Sequence, residues 1–298
     1  MPIHTWTFII ILGYAAALVT FSIGGIVFLR ARRKTRWPFK ESDKLLRGPG
    51  EGLRRKILQL EEAFGMEFAG SIVTALILWP VFGFLAKSAG FSGWKAGVFV
   101  LGGLLLIAAV SAWRIARLWK KRANYFLGWF GERLVAEKLR PLQLQGYRVF
   151  HDIPCEPGKK EFNIDHVVVG PTGVAVVEVK TRRKGAARPG FKDHEVFFDG
   201  AKLVWPWGED RHGVQQTLNE ANWLRKWVAE RTTLNVAVKP ILALPGWYVH
   251  ETPSPEIRVV NPDFLSRAVS GRGEIALQPN EIELIARQLD LVCRDVEE

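Results

Sequence analysis

Long apolar runs open the chain, and shorter, mixed periods replace them further on. Residues 7–29, TFIIILGYAAALVTFSIGGIVFL, carry no formal charge. At 1.5 Å per residue they are long enough to cross a hydrocarbon core of roughly 30 Å. Two further apolar runs, residues 68–86 and 96–113, flank the connector KSAGFSGWK and read as a transmembrane hairpin. Pro80 and the glycines in these runs would weaken a water-soluble helix, but membrane helices tolerate them where neighbours re-satisfy the backbone. Three transmembrane helices are therefore predicted, near 7–29, 68–86 and 96–113. A cleaved signal peptide is the competing reading of the first. It has no basic stretch before it, and RARRK rather than a small-residue cleavage site follows it. A buried soluble hairpin is the competing reading of the other two.

Beyond residue 122 the period changes. Leu127, Phe130, Leu134 and Val135 recur at helical spacing over 125–139, and Pro141 is read as the stop. Strand-like runs follow at 147–151, 164–170, 174–181 and 195–198, then a helical period over 213–231, strands at 238–244 and 257–260, and a terminal helix at 281–292. This alternation predicts one mixed α/β domain over 123–298 behind a membrane anchor over 1–122.

An apolar content of 48% with twelve Trp excludes a largely disordered chain. The formal charge of +11 brings two partners forward, nucleic acid and an anionic lipid bilayer. Its distribution separates them. Residues 30–67 hold eleven Lys or Arg, the 87–95 connector two and residues 114–122 five, whereas 123–298 carry 23 basic against 24 acidic groups. Most of the basicity therefore flanks the apolar runs. Because Lys and Arg resist translocation, this arrangement predicts an outside N-terminus, a basic cytoplasmic loop over 30–67 and a cytoplasmic C-terminal domain, in the inner (cell) membrane of a bacterium. Within that loop, residues 51–64 can form an amphipathic helix or a solvated connector. Cys155 and Cys293 are too few for a disulfide framework and lack zinc-site spacing.

Candidate chemistry concentrates in residues 163–181, NIDHVVVGPTGVAVVEVKT, where two β-branched runs flank Gly170, Pro171, Thr172 and Gly173 as a hairpin. Val174, Val176, Glu178 and Lys180 share one face of the second strand. Asp165 on the first strand reaches the same place if the hairpin register allows. Two carboxylates there could bind a hard cation such as Mg²⁺, or Mn²⁺, with an ammonium beside them. That trio suits phosphodiester hydrolysis, since a cation offsets phosphate charge and an ammonium orients water or stabilises developing charge. A lone Glu-Val-Lys tripeptide reads more simply as a solvated ion pair. The Asp-bearing hairpin shifts the weight, because charges inside Val-rich strands need partners or a polar cleft. His166 should point to the opposite face and reads as a packed, hydrogen-bonded residue.

This segment resembles the central signature of the nuclease-related domain (NERD) family, itself similar to the PD-(D/E)xK restriction-endonuclease-like nucleases, over roughly 124–245. The resemblance implies a restriction-endonuclease-like mixed sheet flanked by helices, with Asp165 and Glu178 as metal ligands and Lys180 as the catalytic lysine. It also implies roles for Glu132, in GERLVAEKL, and Gln216, in QQTLNEANWL. Ile164 stands where restriction enzymes place Pro, a departure usual within the resembling family. DNA is favoured over RNA through this resemblance alone. Arg182, Arg183, Lys184, Arg188 and Lys192 form a basic stretch read as a mobile loop that contacts phosphate or simply lies in solvent. Trp205 and Trp207 either stack on bases or pack in a core. The expected function is a membrane-anchored, metal-dependent nuclease. The alternative is a catalytically weak nucleic-acid-binding or membrane-organising protein. A transporter is disfavoured, because none of the apolar runs carries an ionisable residue.

Overall fold

In the computed structural model, residues 24, 25, 28, 44–155, 162–271 and 276–296 are described. The predicted first span, 7–29, lies outside them except for Gly24, Gly25 and Phe28, which are helical. The chain divides into two compact units, one including residues 58–122 and the other residues 42–57 with 123–298.

Among the described residues, two helices are long and apolar enough to cross a membrane. Helix α1 spans Glu51–Ser88 and α2 spans Trp94–Gln143. Both exceed the sequence-based reading. The basic loop placed over 30–67 is helical from residue 51, and the span at 96–113 continues without a break through the helix placed at 125–139. The sequence between these segments is charged but contains no helix breaker, so hydrogen bonding propagates through it. Pro141 does not stop α2. It sits in the last turn, which tightens through bonds such as Gln145 N to Leu142 O (2.9 Å) before Gly146 turns the chain at φ +84°.

Within the first unit, Gly103 lets the two helices approach closely: a Cβ there would lie 2.6 Å from the Phe82 ring. Arg122 holds Glu61 at 2.6 Å, and Arg114 holds Glu67 at 3.4 Å. Large apolar side chains such as Trp79, Phe84 and Leu106 remain exposed, which suits a hydrocarbon surrounding.

The second unit is a mixed α/β domain. Strand β1 is Leu45–Leu46; β2 is Arg148–Cys155, β3 Phe162–Gly170 and β4 Gly173–Val179. Then come β5 (Glu195–Phe198), β6 (Leu203–Trp205), β7 (Gly208–Asp210), α3 (His212–Thr232), β8 (Val238–Ala243), β9 (Tyr248–Glu251) and β10 (Arg258–Val260). A 3-10 turn (Pro262–Phe264), α4 (Leu265–Ser270), α5 (Pro279–Val292) and β11 (Arg294–Val296) complete it. The main sheet has the order β10-β8-β4-β3-β2, antiparallel from β2 to β4 and parallel across β4, β8 and β10. Helix α3 makes the crossover that parallel pairing requires. Because helices cover both faces, β4 is a nearly continuous buried Val run rather than an alternating one.

One face packs Val167, Val174 and Val176 against α3 and α5 through Leu224, Val228 and Ile285. The other packs Val168 and Val177 against Val135 and Leu139 of α2 and Leu265 of α4. The β3–β4 turn is pinned by Thr172, whose Oγ1 lies 3.0 Å from the Tyr147 hydroxyl. Gly170 leaves room for that tyrosine: a Cβ there would sit 2.0 Å from its ring.

A four-stranded sheet, β7-β6-β5-β9, flanks the main one. Trp205 is buried in the layer between them, with Val196, Phe198 and Trp247. Residues 45–47, expected to belong to a cytoplasmic loop beside the anchor, are instead part of this domain. Leu45 pairs with Val296, and Arg47 N donates to Cys293 O at 2.8 Å.

Candidate active site

The site forms where the main sheet parts. In the β3–β4 ladder the last paired residues are His166 and Val177, so Asp165 and Glu178 occupy the next opposed position without ladder bonds. On the other edge of β3 the pairing with β2 skips from His151↔His166 to Ile153↔Ile164, and Asp152 adopts φ +50°. Beyond this break β4 stays with β8, Lys180 N donating to Ala243 O at 3.0 Å. Val179 N, which has turned away from β3, is taken by the Asp165 carboxylate at 2.8 Å. The register that the hairpin reading needed is thus present, and Asp165, Glu178 and Lys180 meet at one locus.

Glu178 is 2% exposed, a position a carboxylate holds only with partners. Lys180 supplies one, its Nζ 2.5 Å from Glu178 Oε1, and a second bond runs from Nζ to Gln216 Oε1 at 2.8 Å. Gln216 stands on the first turns of α3, where Gly213 allows close approach: a Cβ there would lie 3.3 Å from Lys180 Cγ. Its amide nitrogen donates to Glu220 Oε1 at 2.8 Å, four residues on and on the same helix face. The order Glu178, Lys180, Gln216, Glu220 is therefore a hydrogen-bonded relay from strand to helix. Glu220 is 1% exposed. Its spacing of four from Gln216 is legible in the sequence. A glutamate inside the apolar stripe that includes Leu224 and Val228 is the signal that could have found it.

Glu132 arrives from α2. Gly131 beside it packs against Thr181, whose Cγ2 would lie 2.1 Å from a Cβ at that position. From the far side, Gly50 approaches Glu132, its Cβ position 3.4 Å from Oε2. Asp152, also buried, accepts from Gly52 N and Asn163 Nδ2, both at 2.9 Å, and pairs with Arg47 at 3.2 Å.

Crowded carboxylates hold protons. Burial, then Asp152 and Glu178, push Glu132 up to about 8, against the pull of Lys180 and Lys56. Burial and Glu178 push Glu220 up to about 9. Asp165 is raised well above the carboxylate range by burial and by Glu178, Glu132 and Glu220, with the Val179 amide opposing. For Lys180, burial works against the charge, but Glu178, Asp165 and Glu220 outweigh it and raise the value.

A hard divalent cation fits this chemistry, because all the acids present oxygen donors and Glu178 Oε2 and Glu220 Oε2 are buried and accept from no amide, ammonium or hydroxyl among the described residues, the proton on Glu220 being shared with Glu178 when no metal is bound. No three Asp, Glu, His or Cys side chains among the described residues form a ready cage. Mg²⁺ does not require one, since it commonly keeps several waters and takes one or two carboxylates.

The remaining candidates fall elsewhere. His166 is fully buried and its Nδ1 lies 2.8 Å from His151 Nδ1, a structural pair that burial keeps neutral. The basic stretch makes contacts with the small sheet and its adjoining turns and with α2. Arg182 holds Asp210 at 3.0 Å, Arg183 donates to Ala123 O at 3.0 Å, and Arg188 donates to Pro206 O at 3.2 Å. Lys184 lies over the Trp247 ring at 5.8 Å, and Lys192 pairs with Glu195 at 2.9 Å. Trp205 packs in the core, while Trp207, stacked 5.7 Å from it, is 40% exposed.

Residues 127–245, less than half of the chain, match the family model of the nuclease-related domain, NERD. That range contains Glu132, Asp165, Glu178, Lys180, Gln216 and the basic stretch. No curated protein and no solved structure matches the chain.

Proposed function

On the premise that residues 127–245 are a nuclease-related domain, we propose that this chain is a membrane-anchored, metal-dependent nuclease that hydrolyses phosphodiester bonds, with DNA preferred to RNA. The domain implies a nucleic-acid substrate in general. The single observation that carries the finer reading is the convergence of Asp165, Glu178 and Lys180 at the parting of β3 and β4, with Lys180 fixed from two sides. We read the main sheet and its flanking helices as restriction-endonuclease-like.

Asp165 and Glu178 would hold Mg²⁺ or Mn²⁺, which when bound supplies charge neutralisation at the phosphate and activation of a water. The chain's own residues do the rest. An ammonium has three donors, and Lys180 uses two on Glu178 and Gln216. The third is available for the attacking water or for a non-bridging phosphate oxygen, where it stabilises the charge that grows during attack. Gln216 acts through Lys180: its carbonyl accepts from Nζ while Glu220 anchors its amide nitrogen. Glu132 stands as a third acid beside the pair.

Helices α1 and α2 support the anchor, and the basic residues flanking them support a cytoplasmic C-terminal domain in an inner membrane. The alternative is a nucleic-acid-binding or membrane-organising protein that keeps this fold without useful turnover. One experiment separates them. Full-length protein in detergent is assayed on labelled DNA and RNA with Mg²⁺, Mn²⁺ or chelator, beside Asp165→Ala and Lys180→Ala. Metal-dependent cleavage lost in both variants is expected. Cleavage at parental rate in the variants overturns the site, and binding without cleavage by any form establishes the alternative.

A further inference from the structure

The four-stranded sheet carries a row of rings that the proposed chemistry does not use. On β5, Val196 and Phe198 point into the core while Phe197 points out and is 37% exposed. On β9, Tyr248 is 62% exposed. The two strands pair in parallel with Phe197 opposite His250. Those rings stack 4.4 Å apart at 6°. Tyr248 meets His250 at 4.8 Å from one side, and Phe191 meets Phe197 at 6.4 Å from the other. Four rings therefore cross one sheet face in sequence.

Cations accompany them. The Arg188 guanidinium lies 4.6 Å from the Phe191 ring, and Lys192 stands beside the row, where it and His250 hold Glu195, a side chain only 13% exposed. The segment that carries these cations begins at Lys180, so the row is continuous in sequence with the proposed catalytic centre. At its other end Tyr248 lines a cavity of about 770 Å³ shared with Arg258, Arg267 and Phe264, the last 61% exposed.

An apolar face without charge would suit a protein partner. Partly exposed rings on one sheet face, edged by Arg and Lys and joined in sequence to the proposed phosphodiester-cleaving centre, suit unpaired bases and their phosphates. We propose that this face is a stacking platform for an unpaired nucleic-acid strand, with the cavity beside Tyr248 receiving a base at the end of the track, so that the preferred substrate is single-stranded or carries a single-stranded flank. This rests on the nuclease reading for its substrate class, but not on turnover.

The test is fluorescence anisotropy of full-length protein in detergent with chelator present, using a thymidine oligonucleotide, a uridine oligonucleotide and a blunt DNA duplex. The proposal expects tighter binding of the single strands than of the duplex. Tyr248→Ala and Phe197→Leu, which removes the ring but keeps apolar bulk, should each weaken single-strand binding roughly tenfold and leave duplex binding unchanged. Phe197→Trp should retain affinity. The thymidine and uridine arms report whether a 2′-hydroxyl is preferred. Equal affinity for duplex and single strand overturns the proposal, as do variants that bind like the parent or that change oligomeric state instead of affinity. Because binding is read without metal, failure of hydrolysis sinks the nuclease reading alone, whereas ring-independent binding by an enzyme that cleaves sinks the platform alone.

Discussion

Arg47 offers the sharpest test of how the domain is assembled. Its guanidinium donates to Asp152 Oδ2 and to Asp152 O, both at 3.2 Å, across 105 positions of sequence. Both side chains are nearly covered, 10% and 7% exposed, so screening by solvent is small. Losing one partner of a fully buried ion pair destabilises by about 3–5 kcal/mol. Asp152 would keep Gly52 N and Asn163 Nδ2 after Arg47→Met, which lowers the expected loss to about 2–3 kcal/mol. In a domain of this size that corresponds to a fall in Tm of roughly 4–12 °C. The assay is thermal unfolding of Arg47→Met, Asp152→Asn and the double variant in the same detergent. Coupling between the two substitutions is expected, the double variant losing less than the sum. A fragment beginning at residue 123 should be less stable than one that keeps residues 42–57. Unchanged Tm for Arg47→Met, or full additivity, would refute the claim that this segment belongs to the domain.

Three further outcomes follow from the geometry. Gly131→Ala places a methyl 2.1 Å from Thr181 Cγ2, so either the Thr181 side chain or α2 must give way. An overpacking loss of about 1–3 kcal/mol is expected, with a lower cleavage rate from displaced Glu132, and kinetics at parental level would contradict it. In metal-free protein Glu132 and Glu220 are pushed up to about 8 and about 9 from 4.5, so the folded state binds protons that the unfolded chain has released. These two groups therefore contribute stability that is complete below pH 4.5 and is lost as pH rises towards 8–9, by at most about 1.4 kcal/mol per pH unit per group; below pH 6.5 the buried neutral His151–His166 pair works in the opposite sense, so the net fall is expected above pH 6.5. Melting temperatures across that window should show a shallower slope in Glu220→Gln, and Mg²⁺ should stabilise the parent most at the alkaline end. A reporter fused at the C-terminus should give a cytoplasmic signal, and an external signal would remove the proposed topology.

What could be read from the sequence follows from how local each signal is. The Gly170–Gly173 turn and the Val runs around it are short-range chemistry, and both strands stand close to where their residues put them. Strand β5 at Glu195–Phe198 is equally local. Strands β6 and β7, three residues each around Pro206, are too short for a period of two to show. The continuity of α2 is not legible in the sequence, because apolar period marks burial and not helicity, and residues 114–124 are helical without a buried face. Within the site, Asp165, Glu178 and Lys180 sit on one hairpin, so strand alternation and the turn were enough to bring them together. The Arg47–Asp152 pair depends on tertiary packing across 105 positions, and no pattern in either segment announces its partner, whereas the Gln216–Glu220 pair is local and only its burial beside Glu178 is tertiary. Charge also hides the place of residues 45–52 in the domain, since a basic stretch between apolar runs reads as a membrane flank. With residues 42–57 included, the domain holds 28 basic and 26 acidic groups, so its balance shifts from slightly acidic to slightly basic.

The central claim is that Lys180 acts on the scissile phosphate or its attacking water from a position fixed by Glu178 and Gln216. The most direct measurement is single-turnover cleavage by full-length Lys180→Met at saturating Mg²⁺, with metal affinity determined in parallel by calorimetry. A rate lower by about 10²–10³-fold with metal binding retained is the predicted result, the scale expected for removing one donor to developing charge. Cleavage at the parental rate by this variant would contradict the account.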